Sequence, residues 1–165
     1  MSSIGKAFLF FAGIALAGCT TPDRFAGGAG GTGGTLAGSA ADPSSPAFFQ
    51  ESVGDRVTFA VDQATLTPLA RTTLDGQAAW LNQNTDFTAI IEGHADEQGT
   101  REYNLALGAR RANAVQEYLV SRGIASDRMR VVSYGKERPI EICSSEACYA
   151  QNRRSVTVLS ALPSS

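Results

Sequence analysis

Residues 87–123 decide the fold: Phe87-Thr-Ala-Ile-Ile-Glu-Gly-His94, then Ala95-Asp-Glu-Gln-Gly-Thr100, then Arg101-Glu-Tyr-Asn-Leu-Ala-Leu-Gly-Ala-Arg-Arg-Ala-Asn-Ala-Val-Gln-Glu-Tyr-Leu-Val-Ser-Arg-Gly123. In the first run Phe87, Ala89 and Ile91 share one face and Ile90 takes the other, the two-residue period of a strand. Gly99-Thr100 then opens a long helix reaching about Arg122, with Gly123 as its C-terminal stop. Leu105, Ala109, Ala112, Val115 and Leu119 keep the helical period and are expected to face the core. A strand, a polar loop and a helix thus follow one another in immediate succession.

Working outward, Arg56-Val57-Thr58-Phe59 alternates as a short strand, and Thr67-Pro68 provides a cap followed by proline at the first helical position. Leu74, Ala78 and Leu81 form that helix's buried stripe, and Asn82 to Asn84 end it. Met129 to Tyr134 and Ser155 to Leu159 read as two further strands, with a short helix over Ala147 to Asn152 between them. Strands alternating with helices predict one sheet with helices packed on it, an α/β (α+β) two-layer sandwich.

The chain upstream differs in kind. Lys6 precedes the apolar run Ala7 to Leu16, and small residues lead to Cys19. A basic start, a short apolar core and small residues at a boundary describe an export signal, shorter than a spanning helix. Leu16-Ala17-Gly18-Cys19 resembles a lipobox, which implies cleavage after residue 18 and acylation of Cys19. Several acyl chains on one residue give a stable anchor where one would bind only marginally. Thr20 follows the cysteine, not the aspartate that retains lipoproteins in the inner membrane of enteric bacteria, so outer-membrane placement facing the periplasm is expected.

Residues 19–50 are rich in Gly, Ala, Ser and Thr and are read as a tether, with the folded domain expected over 51–162. About 30 such residues have a root-mean-square reach of roughly 30 Å, and about 100 Å when pulled straight. With Cys19 lipidated, Cys143 and Cys148 remain. In an oxidising compartment their default is a disulfide closing the Cys-Ser-Ser-Glu-Ala-Cys loop.

The formal net charge of −2 gives no basic face for nucleic acid. Charged residues make up 18 % and hydrophobic residues 43 %, values that fit a globular domain and not a disordered one. The densest polar cluster is Glu92 to Thr100. His94 is the single histidine, so no metal-ligand set and no metal or cofactor is expected there. Asp96 and Glu97 are adjacent and point apart, and no Gly-x-Ser-x-Gly nucleophile motif is present, so no enzyme chemistry is expected either.

Asn104, Leu107 and Arg111 lie three, four and seven positions apart and share a side of the long helix near Asp96. Spacing leaves two uses open for Asp96 and Arg111. They form an ion pair that braces the loop, or they hold a zwitterion, the carboxylate taking an ammonium and the guanidinium a carboxylate.

The block from Glu92 to Val115, together with Val132-Ser-Tyr-Gly-Lys-Glu-Arg-Pro139 and Gln151-Asn-Arg-Arg154, resembles the OmpA-like peptidoglycan-binding domain, most closely the peptidoglycan-associated lipoproteins. The resemblance runs from about residue 54 to 160. It implies a βαβαβ domain with a four-stranded mixed sheet, and a ligand in the peptide stem of peptidoglycan, gripped at meso-diaminopimelate. Carried over by motif position, Asp96 takes the ammonium, Arg111 the carboxylate, Leu107 lines the pocket, and Val61 and Asp62 form the acidic loop after the first strand. Tyr103 and Asn104 match the motif's Tyr-Asn pair, and Asn152, Arg153 and Arg154 support the site. Loss of wall binding with the domain still folded is expected on replacing Asp96 or Arg111.

The resemblance also implies TolB and other Tol proteins as partners, and a tether between outer membrane and wall that serves envelope integrity and cell division. Two departures stand out: Gln98 where relatives often carry Arg, and Val61 where they often carry a bulkier residue. The rival readings are an OmpA-like lipoprotein outside the Tol system and a wall hydrolase.

Overall fold

The computed structural model describes residues 38–142 and 144–161. Cys19, the export signal, most of the tether and Cys143 lie outside the described residues, so the lipidation and disulfide expectations are not addressed by it.

Four strands, β1 (Arg56–Thr58), β2 (Phe87–His94), β3 (Met129–Gly135) and β4 (Arg154–Ala161), form one sheet in the order β1-β4-β2-β3. β4 is antiparallel to both β1 and β2, and β2 is parallel to β3. The parallel pair requires a crossover, which α3 (Arg101–Ser121) provides. With α2 (Pro68–Gln83) the sheet and helices make the mixed four-stranded α/β sandwich the sequence predicts.

Both long helices begin on the threonines expected to cap them. Thr67 accepts from the Ala70 N–H at 3.1 Å and Thr100 from the Tyr103 N–H at 3.2 Å. α3 ends in a Schellman-type turn: Gly123 has φ +93° and the next N–H, of Ile124, donates to Leu119 O at 3.1 Å.

β2 and α3 meet backbone to backbone through two glycines. A Cβ placed on Gly93 would stand 1.8 Å from Gly108 O and 3.1 Å from the Ala112 Cβ. No side chain fits there, and this contact fixes how close the start of α3 lies to the end of β2.

Two expectations are corrected. The folded unit reaches upstream of residue 51. α1 (Pro46–Phe48) runs on as a wide helical turn over Phe49–Gly54, Phe49 is fully buried against Trp80 with ring centroids 5.0 Å apart, and Trp80 Nε1 donates to Pro43 O at 2.7 Å. The aromatic pair Phe48-Phe49 belongs to the folded unit and not to the tether, because the Phe49 ring packs on Trp80 within the core and Phe48 packs partly buried against it.

The buried face of α3 also differs from the expected stripe. Ala112, Val115 and Leu119 are buried as expected, but Leu105 is exposed and Ala109 only half-buried. Asn104, Leu107, Gly108 and Arg111 take their places. The polar members are buried because they supply hydrogen bonds to the loops that α3 faces.

Candidate functional site

Three segments converge beyond the C-terminal end of β2: the turn after β1 (residues 59–63), the loop 95–100, and the junction of α4 (Glu146–Asn152) with β4. The loop 95–100 is held from three sides. Asp96 Oδ1 accepts from the Gln98 N–H at 3.2 Å, Asn104 Nδ2 donates to Gln98 O at 2.7 Å, and Lys136 Nζ donates to Gly99 O at 2.7 Å. Gly99 sits at φ +90°, a conformation that favours glycine and lets the loop turn into α3.

Arg111 lies at 0 % exposure beneath these segments. Its Nε donates to Gln63 O at 2.8 Å, Nη1 to His94 O at 2.8 Å and Nη2 to Ala60 O at 3.1 Å, and its guanidinium lies 5.3 Å from the Phe59 ring centroid. Burial pushes its pKa down to about 10, against the pull of the nearby Asp96 charge, so it remains cationic at neutral pH. A guanidinium has five N–H groups, and these three bonds leave one on each terminal nitrogen.

Asp96, at 7 % exposure, has a different ion-pair partner: Arg153 Nη1 donates to its Oδ2 at 3.1 Å. The direct Asp96–Arg111 pair considered for bracing the loop is replaced by Asp96–Arg153, with Arg111 acting on Asp96 through space. Arg153 also donates through Nε to Phe59 O at 3.3 Å and through both terminal nitrogens to the Glu146 carboxylate. Burial pulls the Arg153 pKa down, but hydrogen bonds to Glu146 and Asp96 outweigh it and raise the net value.

Asp62 has φ +55°, a left-handed conformation aspartate tolerates better than most residues, and its Oδ1 accepts from the Tyr103 hydroxyl at 3.3 Å. Val61 beside it is exposed. Thus Asp62, Val61 and Tyr103 are exposed, whereas Asp96, Asn104 and Arg111 form a buried floor beneath the loops they bond, and Leu107 is buried on the same helix. An arginine so placed is structural as well as polar, so the expectation that Arg111 can be removed from an otherwise intact domain does not fit its geometry.

The sequence reading placed Arg153 only as a supporting residue and did not single out Glu146. The Gln151-Asn-Arg-Arg154 block was the available signal for the former.

Next to this floor, His94 is buried with neither ring nitrogen hydrogen-bonded among the described residues. Glu92 Oε2 stands 3.6 Å from its Nε2. Burial, then Arg154 and Arg138, lower its pKa to about 4, so it is neutral at physiological pH. Among the described residues no group of three or more His, Cys, Asp or Glu could hold a metal, and no helix is long and apolar enough to cross a membrane.

Residues 58–153 match the OmpA family. The chain is 49 % identical over 154 residues to the peptidoglycan-associated lipoprotein of Mesorhizobium japonicum, covering 89 % of this chain and 86 % of that one. It is 50 % identical over 146 residues to that of Rhizobium meliloti, covering 88 % and 82 %. The crystal structure of the peptidoglycan-associated lipoprotein from Burkholderia pseudomallei superposes with a TM-score of 0.67 at 36 % identity, over 72 % of this chain and all of that one. The C-terminal domain of Helicobacter pylori MotB shares the fold at a TM-score of 0.61 and 20 % identity, over 66 % of this chain and 86 % of that one. The match to the family spans the β1 turn, the loop after β2, α3 and the α4–β4 junction, and the chain belongs to the OmpA family, among the peptidoglycan-associated lipoproteins.

Proposed function

We propose that the domain binds peptidoglycan non-covalently, gripping the meso-diaminopimelate of its peptide stem, and that it catalyses no reaction. The observation that carries this is the convergence of Asp96 and the buried cation Arg111 on one loop-built floor, with the Asp62 carboxylate exposed at its rim. The diaminopimelate end group carries an ammonium and a carboxylate on one carbon. Asp96 takes the ammonium and the two remaining N–H groups of Arg111 take the carboxylate, with Asp62, Val61 and Tyr103 at the rim and Leu107 and Asn104 beneath.

Reaching Arg111 requires the turn Ala60–Gln63 to lift, at the expense of the bonds to Ala60 O and Gln63 O. That turn is the segment that moves on this reading, and it carries Asp62 in a left-handed conformation.

The names of the relatives, and the OmpA family match, support wall binding. The lipobox-like tetrad and the tether support a lipid anchor on Cys19 in the outer membrane, facing the periplasm. On this reading the protein ties outer membrane to wall within the Tol–Pal system, with TolB as a partner, in envelope integrity and cell division. A Cys143–Cys148 disulfide closes the Cys-Ser-Ser-Glu-Ala-Cys loop onto the first turn of α4.

Co-sedimentation of the purified full chain with isolated peptidoglycan tests the ligand assignment. Excess free meso-diaminopimelate should release the protein, and Asp96→Asn should bind at least about tenfold more weakly, the loss of one charge-assisted contact. A chain that stays in the supernatant, or one that free diaminopimelate does not displace, refutes it. Metabolic labelling with a fatty acid should mark the wild type and not Cys19→Ala, and equal labelling of both refutes the anchor.

A further inference from the structure

Arg153 holds two carboxylates of opposite character. Asp96 is nearly buried and is itself fixed by the Gln98 N–H. Glu146 has a side chain 66 % exposed, whereas the Arg153 side chain it meets is 6 % exposed. The inner face of the guanidinium is thus tied to the site floor and to Phe59 O, and its outer face is covered by one solvent-reaching carboxylate.

We propose that Arg153 is a carboxylate-binding residue of the site, and that Glu146 is an internal carboxylate that occupies it until a carboxylate of the ligand takes its place. This rests on the peptidoglycan reading above. A peptide stem ends in its own α-carboxylate besides the zwitterionic diaminopimelate end, so a second anionic group is available to a second cation.

The two arginines differ in what a ligand must displace. Arg111 is held by three backbone carbonyls, one of them, His94 O, in a buried bond, so a ligand that pulls it away breaks three bonds and strips a buried acceptor of its donor. Arg153 offers an exchange of one carboxylate for another, which conserves charge and leaves no buried group unpaired. An exposed carboxylate on an otherwise buried guanidinium gains little, because water screens it and holding its side chain still opposes the attraction.

The exchange also needs no backbone motion. Glu146 is the first residue of α4, and the far end of that helix is fastened independently. Asn152 Oδ1 accepts from the N–H groups of Ile140 at 2.9 Å and Glu141 at 3.2 Å, and its Nδ2 donates to Glu141 O at 2.8 Å. Rotation of the Glu146 side chain suffices to uncover Arg153, which remains aimed by Asp96 and Phe59 O.

The test is co-sedimentation of the detergent-solubilised full chain with isolated peptidoglycan over a protein titration, for wild type, Glu146→Gln and Glu141→Gln. Glu146→Gln should bind about two- to fivefold more tightly, the span set by breaking a partly exposed ion pair. A merely structural Glu146 would give unchanged or weaker binding, and either result overturns the assignment. Glu141→Gln removes the same charge from a neighbouring exposed carboxylate, so equal tightening by that variant would mark a bulk charge effect and also overturn it. If wild type itself fails to sediment, the peptidoglycan reading falls and this assignment with it. If wild type sediments and Glu146→Gln does not tighten, this assignment alone falls.

Discussion

Acidification should destabilise this domain through one residue before its carboxylates begin to titrate. His94 is the single histidine, is 2 % exposed, and has neither ring nitrogen hydrogen-bonded among the described residues. Its ring packs 5.5 Å from that of Tyr134, which carries the Arg138 guanidinium 3.7 Å from its centroid, and Arg154 is its neighbour beyond the Gly93–Ser155 pair of β2 and β4. Among the described residues, Glu92, 3.6 Å away, is the one carboxylate within ion-pair distance of the ring.

Burial, reinforced by Arg154 and Arg138, lowers the pKa from 6.5 to about 4. Because the folded value is the lower one, the unfolded chain binds the extra proton. Stability is therefore full above about pH 6.5, falls as pH drops towards 4, and levels off below that. Linkage with these two values gives a loss of about 2 kcal/mol between pH 8 and pH 5. Urea unfolding of the full chain at intervals across that range should show the midpoint fall mostly below pH 6.5, and His94→Gln should remove most of the slope. Nuclear magnetic resonance of the one imidazole ring reads the pKa directly. A ring titrating near 6.5, or an unfolding midpoint flat from pH 8 to 5, would refute the reasoning. The effect should also reach the site, because the carbonyl of His94 accepts from Arg111 Nη1 at 2.8 Å.

Gly93→Ala should cost about 3 kcal/mol or more, since its Cβ would meet the Gly108 backbone at 1.8 Å and drive α3 off β2. A melting temperature within about 2 °C of wild type would contradict that close approach. Phe49→Ala should cost about 3 to 5 kcal/mol by emptying the place beside Trp80, and a change under about 1 kcal/mol in urea unfolding would return this residue to the tether. Arg111→Met should abolish wall binding and also destabilise the fold by about 3 kcal/mol or more, because the carbonyls of Ala60, Gln63 and His94 lose their donor together. A fully stable Arg111→Met domain would mean those bonds contribute nothing.

The elements were legible because each rests on a local rule. The alternation from Phe87 to Ile91, Thr67-Pro68 and Thr100 as helix starts, and Gly123 as a stop are each read within a few residues. What sequence periodicity misjudged lies where the deciding partner is distant. Phe49 stands in a Pro- and Ser-rich stretch, and only Trp80, thirty-one positions on, makes it core. Leu105 keeps the helical period yet is exposed, while Asn104 and Arg111 are buried with backbone carbonyls distant in sequence, or across the loop, as their acceptors.

The candidate site shows the same division more sharply. Motif position identified Asp96, Asp62 and Arg111 as residues of interest, but a motif states residue types and not partners. Arg111 bonds to carbonyls 48, 17 and 51 positions away, and Arg153 reaches Asp96 across 57. Such bonds are set by where the turn after β1 and the α4–β4 junction arrive once the sheet has closed. A buried guanidinium needs acceptors whatever their identity, so several pairings satisfy one pattern of charges equally well. The choice among them is made by β4, which threads between β1 and β2 and so brings Arg153 to Asp96. The ionic arrangement of the site is therefore a consequence of strand order, and a sequence reading of the charges alone had no means of deriving it.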